Sequence, residues 1–284
     1  MENNQGMLYL CATPIGNLED ITFRVLHTLK TVDLIAAEDT RHSIKLLNHF
    51  DIHTPMTSYH EYNKVEKARQ LVKIMLDGKN IALITDAGTP GISDPGEELV
   101  KQCIEAGVEV SALPGAAACI TALIQSGLST RRFCFEAFLP ANKKEREQIL
   151  SQLANETRTI VMYEAPHHLE KTLKQLADTL GSERKITLCR ELTKKYEEKS
   201  VTTLGQAIQN LEVHPARGEY VLVIEGKSFE SIEKEQQEQF ETMTIEEHME
   251  KYLSSGMDKK TAMKQVAKDR GISKREVYQQ LINE

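Results

Sequence analysis

The sequence predicts an α/β protein: a mostly parallel sheet covered by helices on both faces, then a second α/β unit and a helical tail. Three observations predict it. Short apolar runs alternate with amphipathic segments throughout the first half, the pattern of repeated strand–helix units. The segments joining them are short and rich in Gly, Ala and Pro. After Gly226 the chain turns polar and glutamate-rich before three short helical patterns.

The first strand is "MLYLCA" (7–12). In "ITFRVLHTLK", Phe23, Val25, Leu26 and Leu29 recur at helical spacing. "DLIAA" (33–37) is a second strand and "SIKLLNHF" a second helix. "VEKARQLVKIMLDG" is a third helix, with Val65, Leu71, Ile74 and Met75 turned inward and Gly78 as its stop. "NIALIT" is a strand. "DPGEELVKQCIEAG" opens a helix with Asp94 as N-cap, Pro95 in the first position, Glu97 in the third and Gly107 as the stop; each satisfies or tolerates an orphan amide. "VEVSAL" is a strand, and the apolar helix "AAACITALIQSG" is expected to pack on both sides.

A boundary near "GLSTRR" (127–132) closes a first domain at 1–127 and opens a second at 128–226. The second domain reads as strand "FCFEAFL", helix "KEREQILSQLA", strand "TIVMYEA", helix "HHLEKTLKQLADTLG", then strands "KITLCREL" and "GEYVLVIEG", with room for antiparallel neighbours. Residues 227–243 read as an acidic linker. In the tail, 244–284, Thr244 with Glu247 and Ser273 with Glu276 form capping boxes, and Ala262, Met263, Val266 and Ala267 share one helix face. Lys259, Lys260, Lys264, Lys268, Arg270, Lys274 and Arg275 give this tail the look of a small helix-turn-helix for nucleic acid. The alternative is a solvated amphipathic tail.

The 284 residues are 40% apolar, enough for a core in each half, and no run reaches the roughly 18 apolar residues of a membrane span. No signal peptide is expected from "MENNQGMLYL". Five scattered cysteines without C-x-x-C point to a reducing, cytoplasmic setting and against disulfides or a zinc site; no metal is expected. A net charge of −7 argues against a general nucleic-acid binder but leaves room for a local basic face.

Gly91 and Gly96 have Walker spacing, but Glu97 and Glu98 follow where Lys and Ser/Thr are required, and two carboxylates repel phosphate. No G-x-G-x-x-G occurs, "HHLE" is not H-E-x-x-H, and no nucleophile triad has recognisable local context. What remains is four loops at strand ends: "TPIGN" (13–17), "AEDTR" (37–41), "TDAGTP" (85–90) and "LPGAAA" (113–118). In an open parallel sheet they share one edge, where small residues let a ligand approach the backbone.

"TPIGNLEDIT", "DLIAAEDTRHS", "ITDAGTPGISDPG", "LPGAAA", "YEAPHHL", "CRELTK" and "GEYVLVIEG" occur in that order. In them the chain, over about residues 7–226, resembles the bacterial ribosomal small-subunit methyltransferase I family, a branch of the tetrapyrrole methylase superfamily. The resemblance implies two α/β domains with S-adenosylmethionine (SAM) folded into the cleft between them, a homodimer, and methylation of a cytidine 2′-hydroxyl in the decoding region of 16S rRNA in the small ribosomal subunit. Carried over by motif, Asp86, Ala87, Gly88, Pro114, Gly115 and Ala116 would line the cofactor, with Tyr163, Leu192 and Val221 closing the pocket from the second domain. The "TPIGN" loop, with Pro14 and Gly16, and the "AEDTR" loop would face RNA. The family often has Pro where this chain has Ala116, which should change little, and Arg where it has His168, which puts a fixed positive contact there in doubt.

A ribose hydroxyl is a poor nucleophile, so a base helps. Glu38 is the candidate base, Asn17 a group to orient the hydroxyl, and Arg41 a phosphate fork. Against these stands a structural role: Asp39 or Glu38 capping the next helix and Arg41 pairing with them. Lys143, Lys144 and Arg146, with Arg131 and Arg132, are candidate RNA-backbone contacts. Two other functions fit the sequence: a methyltransferase of the same fold acting on a tetrapyrrole or similar small molecule, and a non-catalytic RNA-binding assembly factor.

Overall fold

The structure, a computed structural model, describes residues 5–241 and 243–282. The first sheet contains β1 (Leu8–Cys11), β2 (Leu34–Ala37), β3 (Met56–Ser58), β4 (Ile81–Ile84) and β5 (Val110–Leu113), in the order β3-β2-β4-β1-β5 with every pair parallel. Strand periodicity sends Leu8, Leu10, Ile81 and Leu83 into one core and Cys11, Ile35, Ala82 and Ile84 into another. Both faces are therefore covered: by α3 (Lys64–Leu76) and α4 (Gly96–Glu105) on one side, and by α1 (Phe23–Thr31) and α2 (Thr40–His49) on the other.

Three local expectations change. In α3 it is Ala68 and Val72 that join Leu71 and Met75 inside, while Val65 is exposed and Ile74 half-buried. Asp94 does not occupy the cap position of α4, which falls on Pro95. Its carboxylate instead accepts hydrogen bonds from the amides of Gly91 (2.7 Å) and Gly96 (2.9 Å), closing the loop on itself. And α5 (Ala118–Gln125) packs on one side only: Cys119, Ala122 and Leu123 are buried, but Ile124 is 69% exposed and Ile120 is also open.

The buried side of α5 lies against the second sheet, sharing a core with Val161, Cys189 and Val223, so this helix ties the two halves together. The second sheet contains β6 (Phe133–Phe135), β7 (Thr159–Glu164), β8 (Lys185–Arg190), β9 (Glu198–Thr203) and β10 (Tyr220–Ile224), in the order β6-β7-β10-β8-β9. Only β6–β7 is parallel. Its other face is covered by α6 (Lys143–Leu153), α7 (Pro166–Leu180) and α8 (Leu204–Val213).

The segment read as an acidic linker is a helix, α9 (Phe229–Glu241). It is tied to the second domain by Lys227, a nearly buried cation that donates to Asn155 Oδ1 and pairs with Glu235. The tail folds as α10 (Ile245–Ser254), α11 (Lys259–Asp269) and α12 (Lys274–Gln280), with both capping boxes formed and Ala262, Met263, Val266 and Ala267 buried. Arg270 does not join the outer basic face. It turns inward, donating to the carbonyls of Met243 and Thr244 and to Nδ1 of the buried His248. All five cysteines are buried and free, and no helix among the described residues is long and apolar enough to cross a membrane.

Candidate active site

The four strand-end loops meet at the carboxyl edge of the first sheet and are bonded to one another. Thr13 and Gly88 exchange backbone hydrogen bonds (2.9 and 3.0 Å), and the Thr13 hydroxyl donates to Thr85 O at 3.1 Å. The Thr85 hydroxyl donates to Glu38 Oε2 at 2.7 Å, and Asp86 Oδ1 accepts the Asp39 amide at 3.2 Å. The Thr89 hydroxyl donates to Ala116 O at 2.8 Å. Gly88 has φ +83°, which favours glycine, and a Cβ there would also press on the Ile15 side chain at 3.2 Å.

The second domain supplies the opposite wall. Tyr163, at the end of β7, accepts the Cys119 amide on its hydroxyl at 3.2 Å, with Phe135 and Phe138 edge-on to its ring. Leu192 is set between two non-glycine residues in the left-handed region, Glu191 (φ +50°) and Thr193 (φ +65°). The first domain's "TPIGN" loop closes against this turn: the Asn17 amide donates to Thr193 Oγ1 at 3.1 Å, and a Cβ on Gly16 would sit 2.9 Å from Leu192 O.

Between the walls is a cleft cavity of about 550 Å³, within the range of small-molecule sites. Leu192, Val221 and Cys189 line it as buried residues of the second domain; Glu38, Asp86 and Asp94 line the first-domain side. Burial, then the neighbouring Glu38 charge, pushes the Asp86 carboxyl above its ordinary pKa, and burial does the same to Asp94. No three metal-ligating side chains converge among the described residues.

The sequence profile of the Tetrapyrrole (Corrin/Porphyrin) Methylases matches residues 7–208. The chain belongs to the tetrapyrrole methylase family. Proteins named ribosomal RNA small subunit methyltransferase I are similar along nearly its whole length: that of Bacillus subtilis is 48% identical over 98% of this chain and 94% of its own, and that of Synechocystis is 48% identical over 96% of each. Two solved structures share the fold. Diphthine synthase has a TM-score of 0.62 at 11% identity, covering 78% of this chain and 90% of its own. The methyltransferase CobJ has a TM-score of 0.60 at 19% identity, covering 78% and 94%.

In this tetrapyrrole methylase the residues expected from sequence distribute unevenly. Asp86, Ala87, Gly88, Tyr163, Leu192, Val221 and Glu38 all line the cavity. Pro114, Gly115 and Ala116 do not; Ala117 and Ala118 of the same loop do, while Gly115 packs where a Cβ would lie 2.5 Å from that of Ala12. Asn17 lies outside, its side chain capping the short 3-10 turn Leu18–Asp20. Arg41 points to solvent and forks onto Asp39 (3.1 and 2.9 Å), which caps α2 through the Arg41 amide. Those bonds hold the Asp39 carboxyl down to about 2. The structural alternative thus describes Asp39 and Arg41, but not Glu38. Pro14 and Gly16 also lie off the cavity wall, and Lys143 and Lys144 are exposed at the start of α6, whose cap is Asn142. Sequence reasoning missed Ile15, Ile92 and Phe138; Phe138 reads as part of the strand "FCFEAFL", but β6 stops at Phe135 and the left-handed Ala137 (φ +49°) comes just before it.

Proposed function

We propose that this methyltransferase transfers a methyl group from SAM to the 2′-hydroxyl of a cytidine in the decoding region of 16S rRNA in the small ribosomal subunit. The observation that carries the reading is the cavity at the carboxyl edge of the parallel sheet, closed by the second domain, with a carboxylate fixed in its wall. The names of the near full-length relatives support the rRNA substrate.

The residues present fit the donor. Gly88 puts bare backbone in the cavity wall, Leu192 and Val221 offer a buried apolar surface for a nucleoside, and Glu38 and Asp86 favour a cation beside them. SAM supplies an electrophilic methyl group on a positively charged sulfur. Glu38 takes the hydroxyl proton: its Oε2 is occupied by the Thr85 hydroxyl, and among the described residues Oε1 accepts no hydrogen bond. The two walls hold the reacting groups in line, which contributes several kcal/mol, about 7 or more where the alignment is complete.

The division into domains at 1–127 and 128–226, followed by the tail at 244–284, belongs to this proposal, as does cytoplasmic action as a homodimer. Ile120 and Ile124 on α5 supply exposed apolar surface for the second copy. Incubation with labelled SAM and small subunits from a strain lacking this activity, followed by nuclease digestion and mass spectrometry, tests the reaction. Label on the cytidine ribose is expected; label on a base, or none on rRNA, refutes it.

A further inference from the structure

We infer that Phe138 is the surface on which the base of the target nucleotide stacks, an inference that rests on the rRNA methylation reading. Past the end of β6 the backbone keeps pairing with β7: the Glu136 amide donates to Val161 O at 2.9 Å, and Ala137 O accepts the Tyr163 amide at 2.8 Å. Between these bonds Ala137 is held at φ +49°, a costly conformation for a residue with a Cβ. The turn delivers Phe138 to the cavity wall with its ring edge-on to Tyr163 at 5.6 Å, yet 53% exposed. A phenyl ring kept this open adds little to a core. It offers a free π-face to a planar heterocycle.

Position and neighbours select the heterocycle. Cys189, Leu192 and Val221 are buried in the cavity wall, whereas Phe138, on the same wall, is half exposed and so open to an approaching macromolecule. The same segment runs directly into α6, presenting the exposed Lys143 and Lys144. Arg146 pins it by donating to the carbonyls of Pro140 (3.0 Å) and Ala141 (3.1 Å). One braced segment therefore carries an aromatic ring and two cations, the combination that stacks an unpaired base and holds its flanking phosphates.

The test varies the concentration of small subunits in methylation assays of the wild type, Phe138→Ala and Phe138→Tyr, with SAM affinity measured separately by calorimetry. Phe138→Ala is expected to raise KM for the subunit roughly 5- to 150-fold, the loss of about 1–3 kcal/mol of stacking, with SAM affinity within about twofold of wild type. Phe138→Tyr keeps the ring and should restore KM. An unchanged KM in active Phe138→Ala overturns the inference and leaves the function standing. Equal weakening of SAM and subunit also overturns it, by placing the ring over the donor. A wild type that cannot methylate rRNA overturns the functional reading and this inference together.

Discussion

Glu38 and Thr85 meet across neighbouring parallel strands: the Thr85 hydroxyl donates to Glu38 Oε2 at 2.7 Å, fixing a carboxylate in the wall of the cleft. Glutamine at position 38 keeps the shape and can still accept from Thr85, but it cannot take a proton. Glu38→Gln is therefore expected to lower the methylation rate by about 100-fold or more while leaving SAM affinity nearly unchanged. Single-turnover rates and calorimetry separate the two quantities, and an unchanged rate removes Glu38 from the mechanism.

Gly88→Ala tests how closely the loops crowd the cavity. A Cβ at φ +83° costs about 1–2 kcal/mol for the conformation alone. It would also sit 3.2 Å from the Ile15 side chain and 3.4 Å from Ala116 O. We expect a lowered melting temperature and SAM affinity weakened by about tenfold. Wild-type values for both would mean that the loop shifts freely enough to take up the methyl group.

The position of Lys143 and Lys144 makes a prediction about salt. Both side chains are exposed, and the ion pair of Lys143 with Glu147 is long, at 3.7 Å. If they meet phosphates of unpaired rRNA, Lys143→Ala/Lys144→Ala should flatten the plot of log affinity against log salt by about 0.7 for each phosphate no longer neutralised. Affinities measured at several salt concentrations give the slope; an equal slope in both proteins places the lysines off the RNA.

The parts that were legible in the sequence are those set by local chemistry. Helix starts were readable where a side chain meets an amide three residues on, as at Thr244 and Ser273. All four small-residue loops contribute lining residues, "TPIGN" through Ile15 alone. Elements stabilised by distant partners were not legible: β3 is three residues long, and β9 is a largely polar edge strand whose Val201 faces solvent. The helix α9 lacks an obvious apolar stripe and depends on Lys227 and on the stacking of Phe240 upon His248. In the site, the positive φ of Ala137, Glu191 and Thr193 has no sequence signature, because glycine, asparagine or aspartate is the usual mark of that conformation.

His248 makes the fold of the tail sensitive to acid. It is fully buried; Nδ1 accepts from Arg270 Nε at 3.2 Å, which leaves the proton on Nε2, 3.4 Å from Asp269 Oδ2. Burial and then the Arg270 charge, with Lys251 adding to them, depress its pKa below 6.5, outweighing the opposing pull of Asp269. Phe240 covers the ring at 4.1 Å and contributes no charge. The unfolded tail therefore binds a proton at a pH where the folded tail does not. The His248 contribution to stability is constant above about pH 6.5 and falls as pH drops from there to the depressed folded-state value. Hydrogen exchange of α10–α12, corrected for intrinsic rates, should give less protection at about pH 5.5 than at about pH 7.5, on either side of the ordinary histidine value, and His248→Gln should reduce that difference. Equal protection at both values in the wild type would mean that the His248 proton is not linked to folding.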